Sequence, residues 1–148
     1  MTQVILVDTG PLVAMFNRND QYHAWVRQQA AVLKPPFFTC ESVISEACFL
    51  LRKSKAAVDA LFELFRRKAL IVSFDLQKES ADVDRLMKRS SNLPMDLADA
   101  CLVRMAEKDP QAVVFTLDRD FLIYRKNTRS IVPVLLPDAI RSRRLRKS

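Results

Sequence analysis

The chain of 148 residues has one glycine and one histidine, and each scarcity removes a class of chemistry. The string Leu6-Val7-Asp8-Thr9-Gly10 matches the active-site triplet of aspartic proteases, but that site needs a glycine-rich, all-β frame that brings two such loops to one water. A chain with a single glycine and many helical stretches does not supply it. Gly10 also occupies the place where a haloacid-dehalogenase-type phosphatase needs a second acid. With His23 the sole histidine, zinc is disfavoured, as is any histidine base other than His23 itself. Cys40, Cys48 and Cys101 are odd in number, lack ligand spacing and lie in apolar surroundings, so they read as reduced thiols rather than bridges or metal ligands. No apolar run reaches the roughly 18 to 20 residues of a membrane span, and no signal-peptide pattern opens the chain. A soluble cytoplasmic protein with no membrane partner is expected. Internal repeats and linkers are missing as well.

What is present is a chain with 49% hydrophobic residues, enough for one well-buried core and too short for two ordinary domains. The net charge is +7, but Arg141 to Ser148 hold five cations and no acid, which leaves +2 for the remainder. One domain over residues 1–140 and a basic tail over 141–148 are expected. Such a tail raises the local concentration of a polyanion without sequence specificity; a solvated terminus fits the charge pattern equally well.

Residues 3–8 form a short β-branched run with little alternation, the pattern of a strand buried on both faces. Pro11 opens a helix over 11–16, and Asp20 suits the cap of a helix over 21–33 that carries His23 and Trp25 as packing residues. A strand over 37–40, helices over 42–52 and 54–68, a strand over 69–74 and a helix over 77–91 follow. In the second of those helices Val58, Leu61, Phe62 and Phe65 fall on one face; Val83, Leu86 and Met87 do so in the last. Asn92-Leu93-Pro94 breaks the chain before a helix over 96–108, and strands are expected over 112–116 and 131–135. Strands alternating with helices predict a three-layer α/β/α sandwich around a mainly parallel sheet.

Against this frame stand acids that folding does not require. Asp8 ends the first strand, Glu46 lies in the third helix, Asp96 and Asp99 share the last helical stretch, and Asp118 follows the fourth strand. Ligands collect outside the carboxyl ends of parallel strands, so Asp8 and Asp118 fall on one edge, and Asp96 and Asp99, three apart, project from one side of a helix start. Carboxylates gathered at a core edge repel one another and lose hydration, and a hard divalent cation is the simplest partner for an all-oxygen set. This pattern points to a metal-dependent phosphodiesterase site. Structural readings compete at several positions: Asp8 as a turn residue, Glu46 as part of a capping box begun by Ser42, Asp96 as an N-cap, Asp118 and Asp120 as an Asx turn with Arg119 exposed, and Thr116 as an ordinary strand end.

Val-Asp-Thr after the first strand, Ser-Glu in the third helix, Leu-Ala-Asp-Ala in a late helix and Thr-Leu-Asp-Arg-Asp-Phe after the fourth strand together resemble the PIN domain, more narrowly the ribonuclease toxins of bacterial VapBC toxin–antitoxin modules. The resemblance runs from about Val4 to Leu135. It implies a PIN-like fold and an endoribonuclease in which Asp8, Glu46, Asp99 and Asp118 are catalytic and bind one or two Mg2+ ions, with Mn2+ as a substitute. It sets Thr116 beside the fourth acid and gives less weight to Asp96 and Asp120. RNA as substrate, a cognate antitoxin and a homodimer are further implications. Arg125, beside Tyr124, suits RNA contact by phosphate pairing and stacking, although a solvated loop pair suits the sequence as well; Arg143, Arg144 and Arg146 are the tail's candidates. A PIN-like module that binds RNA or protein without cutting is the alternative, and a non-acidic residue in the quartet would have favoured it.

Overall fold

The computed structural model describes residues 2–89 and 93–142. In chain order these form β1 (Val4–Val7), α1 (Thr9–Phe16), α2 (His23–Val32), β2 (Phe37–Thr39), α3 (Glu41–Leu51), α4 (Lys55–Arg66), β3 (Leu70–Val72), α5 (Leu76–Arg89), α6 (Leu97–Lys108), β4 (Ala112–Phe115), a 3-10 turn (Arg119–Leu122), β5 (Arg125–Lys126), β6 (Ser130–Ile131), β7 (Val134–Leu135) and α7 (Asp138–Arg141). Five strands make one parallel sheet in the order β3-β2-β1-β4-β7. The expected three-layer α/β/α sandwich with a parallel centre is what the chain forms.

Strand order determines where a ligand crevice can open. From β1 the chain advances to β2 and β3, then returns past β1 to β4. Crossovers of one hand therefore place α1 to α4 on one face and α5 and α6 on the other. The reversal lies between β1 and β4, which pair from Val4 with Ala112 to Val7 with Phe115. Outside the carboxyl ends of those two strands the loops diverge and leave a crevice.

The core fills both sides of this sheet. Ile5, Leu6 and Val7 of β1 and Val114 and Phe115 of β4 are buried, and α6 is apolar nearly all round, with Ala100, Leu102, Val103 and Ala106 fully enclosed. Asp99 lies in this enclosed stretch of the helix and is itself buried, whereas Lys108 at the helix's end is exposed. Trp25 packs edge-on against Phe115 at 5.8 Å, and His23 Nδ1 donates to the Ala14 carbonyl at 2.6 Å, so both are packing residues as expected.

Several boundaries move for local reasons. α1 begins at Thr9 rather than Pro11 because Asp8 caps it, accepting from the Thr9 N–H at 2.8 Å. Asp20 does not cap α2; its carboxylate accepts from Tyr22 N at 2.8 Å in the preceding turn, and the helix starts at His23. Phe62 leaves the stripe assigned to it on α4, standing 43% exposed against Phe65, while Ala57 and Leu61 face the core. The strand expected over 131–135 is divided. Ile131 pairs with Arg125 in an antiparallel hairpin and only Val134–Leu135 joins the sheet, because Pro133 between them has no N–H to continue a ladder. With one glycine in the chain, the left-handed backbone of that hairpin's turn falls to Asn127 (φ 48°) and Thr128 (φ 76°). The hairpin and α7 are elements the sequence reading did not anticipate.

Arg141 closes α7 and Ser142 caps it. Arg143, Arg144 and Arg146, with the end of the expected helix at Ser91 and the break at Asn92, lie outside the described residues. Among the described residues no helix is long and apolar enough to cross a membrane.

Candidate active site

At the β1/β4 crevice lies a pocket of about 540 Å³ whose lining includes Asp8, Glu46, Asp96, Asp99 and Asp118. Asp8 reaches it from the end of β1, Glu46 from the middle of α3, Asp96 and Asp99 from the start of α6, and Asp118 from the loop after β4. Asp20, from the loop before α2, also lines it, as does Arg119. Thr116 and Asp120 are absent from the lining: Thr116 is fully buried, and Asp120 stands in the 3-10 turn.

Hydroxyl and backbone donors position each acid. Thr116 Oγ1 donates to Asp8 Oδ2 at 2.7 Å and accepts from Asp118 N at 2.9 Å, so one buried hydroxyl ties the first acid to the loop of the fourth. Thr9 Oγ1 donates to Glu46 Oε2 at 3.0 Å. Tyr124 donates to Asp99 Oδ2 at 2.8 Å. Asp118 Oδ1 accepts from Asp120 N at 2.9 Å, the anticipated Asx turn. Asp96 caps α6 by accepting from Asp99 N at 2.8 Å, which fulfils its capping reading while leaving it in the pocket wall. Among the described residues, Glu46, Asp99 and Asp118 each keep one carboxylate oxygen without a hydrogen bond.

These positions raise the cost of ionisation. Burial, reinforced by the charges of Asp118 and Glu46, brings Asp8 to a pKa of about 6 despite hydrogen bonds from Thr116 and Thr9. Asp99 rises to about 8, first through burial and then through Asp8, Asp96 and Asp118, with Tyr124 opposing. Asp120 is raised by burial and by Asp118 and Asp96. Among the described residues no lysine or arginine forms an ion pair with any of these acids. Arg119, the one cation among the described residues of the lining, pairs with none of them.

Two structural readings are overturned here. α3 begins at Glu41 with Cys40 as its cap, so Glu46 is too far along the helix for a capping box and takes Thr9 instead. Tyr124 is neither an RNA-stacking ring nor half of a solvated pair: it is buried on Phe121 and spends its hydroxyl on Asp99. Arg125, beside it, is exposed and donates to the carbonyls of Leu122, Ile123 and Tyr124. Thr9 had a local signal, since it follows Asp8 directly. Tyr124 had none, because its partner lies 25 residues earlier.

A hard divalent ion fits this donor set by chemistry, since every ligand on offer is an oxygen. As the side chains stand, no three acids, histidines or cysteines among the described residues are arranged to hold a metal ion. Magnesium asks less than that, because it keeps several waters and takes one or two carboxylates.

Residues 5–127 match the PIN domain family, and the chain belongs to it. No curated protein matches the chain. Among solved structures it is similar to Mycobacterium tuberculosis VapC20, a toxin that cleaves the sarcin–ricin loop, with a TM-score of 0.67, 20% identity, and coverage of 78% of this chain and 91% of that one. At that identity the likeness shows a shared fold.

Proposed function

We propose that the protein is a metal-dependent endoribonuclease, the toxin of a toxin–antitoxin pair, in which Asp8, Glu46, Asp99 and Asp118 bind one or two Mg2+ ions, with Mn2+ able to substitute. The observation that carries this reading is that four acids from four separate segments line one pocket, with no cation paired to them among the described residues. Membership of the PIN family and the fold shared with an RNA-cleaving toxin support it.

When bound, the divalent ions supply positive charge to the scissile phosphate and to the attacking and leaving oxygens, and lower the pKa of a water. The chain's own work is positional. Thr116 holds Asp8 and the Asp118 loop in one register, Thr9 restrains Glu46, and Tyr124 restrains Asp99, so the acids are held at the pocket with fewer rotamers to search. The start of α6 adds partial positive charge beneath Asp99, which opposes the effect of its burial. Asp120 and Asp96 act on this set by charge and capping. Arg125, Arg143, Arg144 and Arg146 attract RNA without reading its sequence. Every quartet position is acidic, which favours cleavage over a purely binding module. The reading also brings a homodimer, a cognate antitoxin and a cytoplasmic setting.

Single-turnover cleavage of RNA with magnesium, with excess EDTA and in Asp8→Asn tests the proposal. Cleavage should require magnesium or manganese, and calcium, with its looser geometry, should support little turnover. Full activity in EDTA would contradict it.

A further inference from the structure

The acidic pocket contains one residue of opposite sign, and it is unpaired. Arg119, the first residue of the 3-10 turn, lines the pocket beside Asp8, Glu46, Asp96, Asp99 and Asp118. The sequence reading left it exposed on the Asx turn; the residue is instead half-buried, and its Nε is sealed from solvent with no hydrogen-bond partner. Among the described residues it forms no ion pair. This is unusual for an arginine among carboxylates: on the far side of the fold Arg104 pairs with Glu79, Asp82 and Glu107, and Arg85 with Asp82 and Glu107. Other unpaired arginines such as Arg18 and Arg27 are exposed, where water satisfies them.

An enclosed donor without a partner calls for a cause, since it forgoes the hydrogen bond that burial ordinarily demands. The Asx turn supplies the local one. One Asp118 oxygen accepts from Asp120 N, which fixes the backbone on either side of Arg119, and the Arg119 side chain lines the pocket with no ion pair to Asp118. The consequence is a planar cation held among acids with its terminal amines uncommitted. Guanidinium is suited to two-point contact with phosphate oxygens, and an RNA strand entering six carboxylates meets repulsion that a free cation at the wall locally offsets.

We infer that Arg119 is a substrate-binding residue that grips a phosphate of the RNA strand through its terminal amines. This rests on the ribonuclease reading and deepens it: the carboxylates take the cations, and Arg119 takes the anion. It also explains why Arg119 stays unpaired, because an ion pair with Asp8 or Asp118 would remove both a metal ligand and a phosphate donor.

The test compares wild type, Arg119→Ala and Arg119→Lys. Binding of a mixed-sequence single-stranded RNA is measured in calcium across a salt series, cleavage in magnesium, and melting with and without magnesium. Arg119→Ala should flatten the slope of log affinity against log salt by about 0.7, one phosphate contact on a single strand, and lower cleavage by about a hundredfold. Arg119→Lys should keep the salt slope, since it keeps the charge, yet cleave about tenfold more slowly without the planar fork. The magnesium-induced rise in melting temperature should be as large in Arg119→Ala as in wild type, or larger. A wild-type salt slope in Arg119→Ala overturns the inference while leaving the ribonuclease reading intact. So does a loss of cleavage that Arg119→Lys restores in full, or one accompanied by a matching loss of the magnesium response, which would make Arg119 a structural support. A wild-type protein that cleaves no RNA in magnesium overturns both.

Discussion

Two pockets of similar size lie near opposite ends of α6, and both are lined with acids near the core. At the N-terminal end is the crevice of about 540 Å³ with Asp8, Glu46, Asp96, Asp99 and Asp118. Toward the C-terminal end is a cavity of about 490 Å³ lined by Glu79, Lys78, Asp75, Met105, Lys108 and Asp109 among others. In the second, Glu79 is buried but meets Lys108 at 2.6 Å and Arg104 at 3.4 Å, and its pKa is lowered, first by the Lys108 hydrogen bond and then by the Arg104 charge against the effect of burial. In the first, Asp8 and Asp99 are as buried, find only hydroxyl and amide donors, and move the other way, to about 6 and about 8. Burial is common to both; among the described residues an ion pair to the buried acid is the difference. A fold that pairs a buried acid with cations at one end of a helix, and leaves several acids without an ion pair among the described residues at the other, supports the proposal that those acids bind a divalent ion.

The largest effects should separate the two pockets by what they do. Asp8→Asn or Asp99→Asn should lower RNA cleavage on the order of a thousandfold, with a metal-free melting temperature equal to or above wild type once pH exceeds the folded value of the acid replaced, about 6 for Asp8 and about 8 for Asp99, because each then removes a repelled charge and keeps the shape. A mutant that melts lower yet cleaves normally would move that residue from site to scaffold. Glu79→Gln should do the reverse, destabilising by about 2 kcal/mol, less than a fully buried pair because Lys108 is half-exposed, and leaving cleavage unchanged. Urea melts and cleavage rates on the same samples make the contrast.

A smaller effect tests whether the hydroxyls position the acids. Thr116→Val removes the link between Asp8 and the Asp118 loop and should slow cleavage by about tenfold to a hundredfold, while Thr116→Ser, which keeps the hydroxyl, should recover most of it. Wild-type cleavage in Thr116→Val together with slower cleavage in Thr116→Ser, which is not β-branched, would mean that the shape alone matters.

The sheet, the order of its elements and the quartet's approach to one edge were legible because each rests on local pattern: β-branched runs, apolar periodicity, and acids placed at strand ends. Asp96 as a cap and Asp118 with Asp120 as an Asx turn were legible for the same reason. Tyr124 and Arg119 were not. Tyr124 serves Asp99 from 25 residues away, and whether an arginine after an Asx turn points outward or into a wall depends on packing that no neighbouring residue encodes. The division of the last strand at Pro133 had a visible cause, the missing N–H, that the reading of 131–135 passed over. Glu79 shows the same limit from the other side: a lone acid in a polar helix turn gave no sign that Lys108 and Arg104 would enclose it.

The most direct test of the contrast is thermal stability against pH, with and without magnesium. A carboxyl whose folded pKa stands above its unfolded value favours the fold while protonated, so its contribution is fully present near its ordinary 3.8 and is lost as pH rises through the folded value, about 6 for Asp8 and about 8 for Asp99. Glu79, lowered from 4.5, contributes above that value and loses stability only at more acid pH, so it is silent in this window. Metal-free wild type should therefore lose stability as pH rises from about 5 to about 8, Asp99→Asn should lose less, and magnesium should raise the wild-type melting temperature most at the upper end, where the ligands shed their protons readily. A metal-free profile that is flat or rising across that window, with no magnesium response at any pH, would contradict the claim that these acids wait for a cation.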